Sequence, residues 1–157
     1  MNQKTAQRCI AVAASAFEPG EQVELVEVVQ IGRVSTGRQV ATSALVGVAS
    51  AGTVLVAVRP RGYFVVLTDR RLYLIDNVNG RMGSGLAMAT PRAKITAGPL
   101  RGHLLTLSME VSIEGAPAPF RFSWGRAQAG TARVLAAALG RPADTLAGHT
   151  STGGPVA

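Results

Sequence analysis

The sequence predicts a mainly β fold: a run of antiparallel strands, with a short helix before it and one C-terminal helix closing it. Three observations lead there. Residues 63–67 (Tyr-Phe-Val-Val-Leu) and 72–75 (Leu-Tyr-Leu-Ile) are strand formers flanking the polar knot Thr68-Asp69-Arg70-Arg71, the mark of a tight β-hairpin. Residues 23–34, 103–113 and 120–124 alternate apolar and polar side chains, as strands with one buried face do. Residues 128–139 instead repeat with a helical period, Ala132, Leu135, Ala136 and Leu139 forming a stripe that Gly140 and Pro142 bring to an end.

Each element has a local reason. Residues 3–17 are alanine-rich and read as a helix carrying Lys4 and Arg8 at its start. The apolar run 9–14 followed by Ala14-Ser15-Ala16 mimics a secretory signal, but it is short and holds no leucine, so export is disfavoured. Pro19 and Gly20 make a turn into the strand 23–34, whose alternation breaks at Leu25-Val26 and so predicts a bulge. Asp69 is expected to serve the hairpin turn by accepting backbone N–H bonds. Residues 77–85 read as a loop, 86–89 as a short edge strand and 91–97 as a further strand. In 120–124, Phe120, Phe122 and Trp124 share one face. The tail 141–157, rich in Gly, Ser, Thr, Ala and Pro, reads as disordered.

The segment 40–58 carries no charged residue and is bracketed by Arg38 and Arg59. Its length approaches the ~20 residues that cross a bilayer as a helix. Ser43, Gly47 and Ala51 recur every fourth residue, the spacing that lets helices approach closely. Three readings stand: a membrane-spanning helix, a small-residue helix over 38–50 followed by a buried strand 53–58, or two strands. The second is preferred, because a span would place the first strand on the other side of a membrane from its sheet.

With 157 residues the chain is one domain's worth, and aromatics make up only 4%, so Val, Leu, Ile and Ala must fill the core. One cysteine, Cys9, excludes an internal disulfide and any multi-cysteine metal site. The net charge of +7 is unevenly placed: up to Val58 four basic residues balance four acidic ones, and from Arg59 onward twelve basic face five acidic. Eleven of those twelve are arginine, whose planar fork suits phosphate and carboxylate, although a genomic bias toward arginine would give the same count.

The hairpin also resembles the second and third strands of pleckstrin-homology (PH) domains, and most of all the bacterial PH-like branch. The resemblance rests on the wording Tyr63-Phe64 and Leu67-Thr68-Asp69-Arg70-Arg71-Leu72, supported by Pro19-Gly20-Glu21 and Pro91-Arg92, and covers residues 19–139. Unlike eukaryotic PH domains, the chain carries Trp124 before the capping helix, not within it. The resemblance implies a barrel or sandwich of about seven strands capped by the C-terminal helix. The expected organisation is an N-terminal helix over 1–17, a PH-like domain over 18–140 with a helical insertion at 38–50, and the tail.

Catalysis is disfavoured. The only histidines are His103 and His149, so a nucleophile–histidine–acid site has little to draw on. Cys9 has no histidine near it in sequence and reads as structural or incidental. Glu110 and Glu114 would share a solvated strand face, and the glycine-rich 80–85 lacks the lysine and helix of a phosphate loop. No cofactor or metal is called for. Nucleic acid is disfavoured as well, since the basic residues are scattered and no stacking platform accompanies them.

The expected function is a non-catalytic interaction module, binding another protein or a second copy of itself, in the cytoplasm or at a membrane surface. Ser43, Gly47 and Ala51 are its candidate self-association or membrane contacts. The first alternative is a peripheral binder of anionic, phosphoinositide-type lipid. The resemblance places Arg59 and Arg61 before Tyr63-Phe64, where lipid-binding PH domains carry a basic pair, and Arg70 and Arg71 would join them; the upstream basic residue of that pocket is missing. The plainer reading is that these arginines cap solvated hairpin ends. A single-span membrane protein through 40–58 is the remaining alternative.

Overall fold

The computed structural model describes residues 1–33, 54–55, 61–78 and 81–140. Helix α1 (Gln3–Ala14) precedes strands β1 (Val23–Arg33), β2 (Val54–Leu55), β3 (Arg61–Thr68), β4 (Arg71–Val78) and β5 (Arg81–Pro91). Strands β6 (Ile95–Ala97), β7 (Arg101–Gly102), β8 (Thr106–Ile113) and β9 (Phe120–Gly125) follow, and α2 (Ala129–Leu139) closes the order. The strands form one antiparallel sheet in the order β2-β5-β4-β3-β1-β9-β8-β6, with β7 paired to β8. Among the described residues the sheet is open, and the two-residue strands β2 and β7 take the count past the seven or so expected.

The long first strand joins the two halves. It pairs with β3 from Val23 to Ile31, and with β9 from Gln30 to Arg33. The register shifts between Val23 and Leu25, just ahead of the Leu25-Val26 break at which the alternation predicts a bulge. Gly20, with φ of 78°, supplies the left-handed residue of the turn that leads into it.

Two apolar clusters hold the fold. The larger lies inside the bent sheet: Val29, Ile31, Tyr63, Val65, Leu67, Leu72, Leu74, Met109, Val111, Phe122 and Trp124 meet Ala132 and Leu135 of α2. The smaller lies on the opposite face of β1, β3, β4 and β5, where Phe64, Val66, Tyr73, Ile75 and Ala89 are covered by Cys9 and Ala13 of α1. Helix α1 begins cleanly because the Asn2 side chain accepts the Thr5 N–H at 2.8 Å. So the hairpin runs 63–67 and 72–75 are buried on both faces, and their apolar content is continuous instead of alternating.

Several expectations need correction. The loop foreseen over 77–85 is mostly strand, because β4 and β5 continue the hairpin with Val78 opposite Arg81. The edge strand foreseen at 86–89 belongs to the interior β5, which pairs with β4 on one side and β2 on the other. Of 91–97 only Ile95–Ala97 is a separate strand; Pro91 ends β5, and Arg92–Lys94 is a 3-10 turn. The strand 103–113 begins at Thr106. Val54 and Leu55 pair with Ala89 and Met88, which a continuous spanning helix over 40–58 does not accommodate. The rest of that segment, including Ser43, Gly47 and Ala51, lies outside the described residues, as does the tail 141–157. No helix among the described residues is long and apolar enough to cross a membrane.

Candidate functional site

Of the four arginines singled out from the sequence, the three that are described do not converge. Arg59 lies outside the described residues, while Arg61 and the pair Arg70–Arg71 sit at opposite ends of β3, roughly 23 Å of strand apart. Arg61 meets Asp76 at 2.5 Å and lies 5.4 Å over the Tyr63 ring. Its pKa is raised above the usual guanidinium value by the hydrogen bond to Tyr63, with Asp76 acting in the same direction. Arg70 pairs with Glu18 at 3.3 Å, and Arg71 binds the other oxygen of that carboxylate. The acidic residues ahead of β1 therefore already occupy the basic hairpin end.

The turn itself is built by a different residue from the one expected. Thr68 Oγ1 accepts the Arg71 N–H at 2.8 Å and the Arg70 N–H at 3.3 Å, and donates to Glu21 at 2.5 Å. Asp69 instead reaches back to the residue just before β1: its carboxylate accepts the Gln22 N–H at 2.8 Å, and its own N–H donates to the Gln22 carbonyl at 3.0 Å. The Tyr73 hydroxyl also donates to Glu21, at 2.9 Å; burial first and this carboxylate second push its pKa well above the usual tyrosine value.

A second basic group, absent from the sequence reading, lies on the outer face of β8 and β9. Arg101 of β7 is opposite Ser108 of β8, and Glu110 of β8 is opposite Arg121 of β9. With His103 and the 98–99 connector they line an open concavity of about 190 Å³. The nearest carboxylate to Arg121 is Glu110, at 3.9 Å, and both side chains are about half exposed, so the pair is loose. Among the described residues no carboxylate stands within ion-pair distance of Arg101. The arrangement offers arginine forks, a hydroxyl and an imidazole to one anionic group. The signal was in the sequence: outward positions of one strand sit opposite outward positions of the next, but finding it requires the register.

Arg92 was also missed. Only 6% exposed, it pairs with Glu24 of β1 at 3.0 Å, donates to the Thr68 carbonyl at 3.2 Å and binds the carbonyl of Ala138 near the end of α2. Cationic donors near a helix C-terminus are favoured by its dipole. This arginine clasps β1, β3 and α2 and is buried among them.

Cys9 is fully buried on the sheet-facing side of α1, and burial pushes its thiol pKa up, away from the thiolate that a nucleophile needs. Among the described residues no three His, Cys, Asp or Glu side chains are grouped so as to hold a metal ion.

No family model matches the chain, and no curated protein does. Among solved structures it is similar to the pleckstrin homology domain from Shewanella amazonensis SB2B, at 13% identity and a TM-score of 0.47, covering 86% of this chain and 97% of that one.

Proposed function

We propose that this chain is a non-catalytic interaction module that docks a partner with an anionic surface through the outer face of β7, β8 and β9. The observation that carries the reading is the difference between its two basic groups. At the ends of β3 the arginines are already paired with Asp76 and Glu18, whereas Arg101 and Arg121 line an open concavity with only the loose Glu110 contact. Binding another protein, self-association and binding a lipid headgroup share that requirement, a carboxylate or phosphate brought to these two guanidinium groups.

Retention on immobilised heparin, used as a polyanion probe, tests the reading. R101Q/R121Q is expected to elute at clearly lower salt than wild type. R81Q/R133Q removes the same charge from exposed positions elsewhere and should shift elution less. Equal shifts in the two variants would mean that only net charge matters, and the site would be withdrawn.

A further inference from the structure

The hairpin tip between β7 and β8 places its most hydrophobic residues in water. Leu104 is 85% and Leu105 75% exposed, the two most exposed large apolar side chains among the described residues. Turn positions favour Gly, Asn, Asp or Ser, so a Leu-Leu pair there gives up both turn chemistry and burial. The tip is nevertheless held in shape. The His103 N–H donates to the Thr106 carbonyl at 2.7 Å, and the Arg126 N–H donates to the Leu105 carbonyl at 3.2 Å. The Arg126 guanidinium donates to the His103 carbonyl at 2.8 Å, which also sets a cation directly behind the leucines. Arg101, two residues before His103, and Arg121 face the concavity that His103 lines. Over residues 94–139 five basic residues stand against two acidic ones.

We infer that Leu104 and Leu105 insert into the interfacial region of an anionic lipid bilayer, with Arg101, Arg121 and Arg126 at the level of the lipid phosphates. This rests on the reading above, that the face of β7–β9 docks an anionic surface, and names that surface. Shape decides for a bilayer over a protein. A specific protein interface needs about 800 Å² from each partner, and two side chains at a convex tip fall far short of that. A fluid interface, by contrast, closes around a small apolar protrusion, and basic residues behind it are attracted by the negative surface potential. Because internal hydrogen bonds already shape the tip, little further ordering is required on docking.

Co-sedimentation of the full chain with vesicles tests this, using phosphatidylcholine alone and phosphatidylcholine mixed with phosphatidylserine. Wild type should bind the mixed vesicles, and salt should weaken the binding. L104S/L105S should lower the affinity at least about tenfold, given the apolar area withdrawn from the bilayer. R101Q/R121Q should lower it by roughly fivefold per arginine. In a Leu104→Trp variant the new indole should be quenched by brominated acyl chains, while Trp124, 1% exposed, is shielded from them. Vesicle binding that ignores L104S/L105S, or an unquenched Trp at 104, would overturn the insertion. If R101Q/R121Q still weakened binding, the anionic docking face would survive that result. An oligomer dissolved by L104S/L105S with vesicle binding intact would overturn it too, and would make the tip a contact between copies. If R101Q/R121Q changed neither vesicle nor heparin binding, the docking face itself would fall.

Discussion

The two halves of the sheet carry opposite patterns of burial, although one long strand runs through both. In β3 and β4, residues 63–68 and 72–75 are buried without interruption. In β8 and β9 burial alternates: Met109, Val111 and Ile113 are buried while Glu110 and Ser112 are exposed, and Phe120, Phe122 and Trp124 are buried around an exposed Arg121. The cause is a second layer. Helix α1 covers the outer face of the first half, so side chains pointing either way must be apolar; over β8 and β9 the outer face meets water. A continuous apolar run thus marks a covered strand and a period of two marks a strand with one free face. The free face is where the proposed docking site lies.

The sharpest way to break this comparison is to place the same charge on the outer face of each half. Val66→Lys puts an ammonium under α1, where Val66 is fully buried, and should cost several kcal/mol, enough to unfold a domain of ordinary stability. Ser112→Lys, on the exposed face of β8, should stay within about 0.5 kcal/mol of wild type. Urea unfolding followed by circular dichroism reads both. A tolerant Val66→Lys would mean that α1 does not seal the first half, and the contrast would lose its cause.

The next largest effect is expected at the clasp between β1, β3 and α2. Arg92→Met removes the partner of Glu24 and the donors to the Thr68 and Ala138 carbonyls. Breaking a buried pair costs about 3–5 kcal/mol, and the low end applies here because Glu24 keeps 24% of its side chain in water. If the clasp acts as a unit, the penalty should shrink in a Glu24→Met background. Equal penalties in both backgrounds would assign the effect to the carbonyl bonds alone.

What was legible in the sequence follows from the same contrast. The hairpin, β1 with its irregularity, β9 and α2 all carry a local signal: an apolar run, an interrupted alternation, an alternation and a helical stripe. The features that escaped depend on partners distant in sequence. Asp69 looks like a turn residue, yet its carboxylate bonds Gln22, 47 positions away, and the neighbouring Thr68 takes the turn. Arg92 looks like a surface cation until Glu24, Thr68 and Ala138 are brought around it. Leu105 falls within the alternating run 103–113, yet the strand begins only at Thr106 and Leu105 sits at the exposed hairpin tip. The pairing of Arg70 and Arg71 with Glu18 was equally hidden, and so was the meeting of Arg101 and Arg121 at one concavity.

The smallest effect concerns the rim of the covered half and appears only in alkali. Tyr73 lies under the end of α1, its single hydroxyl proton shared between Glu21 and, at 3.2 Å, the Ala16 carbonyl, and its ring 5.2 Å from that of Phe17. Its folded pKa is raised above the unfolded value of about 10, so the native state holds the phenolic proton after the unfolded chain has released it. Below about pH 10 both states are protonated and the stabilisation is fully present; as pH climbs toward the folded pKa it drains away at up to about 1.4 kcal/mol per pH unit. Cys9, whose thiol pKa burial also raises, acts in the same direction, so the comparison is best made in a Cys9→Ala background. Tyr73→Phe should cost about 1 kcal/mol at neutral pH, where the partly buried hydrogen bond to Glu21 is lost, and should flatten the decline above pH 10. Urea midpoints measured from neutral pH to about pH 11 give the slope. If the slope is the same with and without the phenol, Tyr73 is not sealed beneath α1, and the covered half is open at that end.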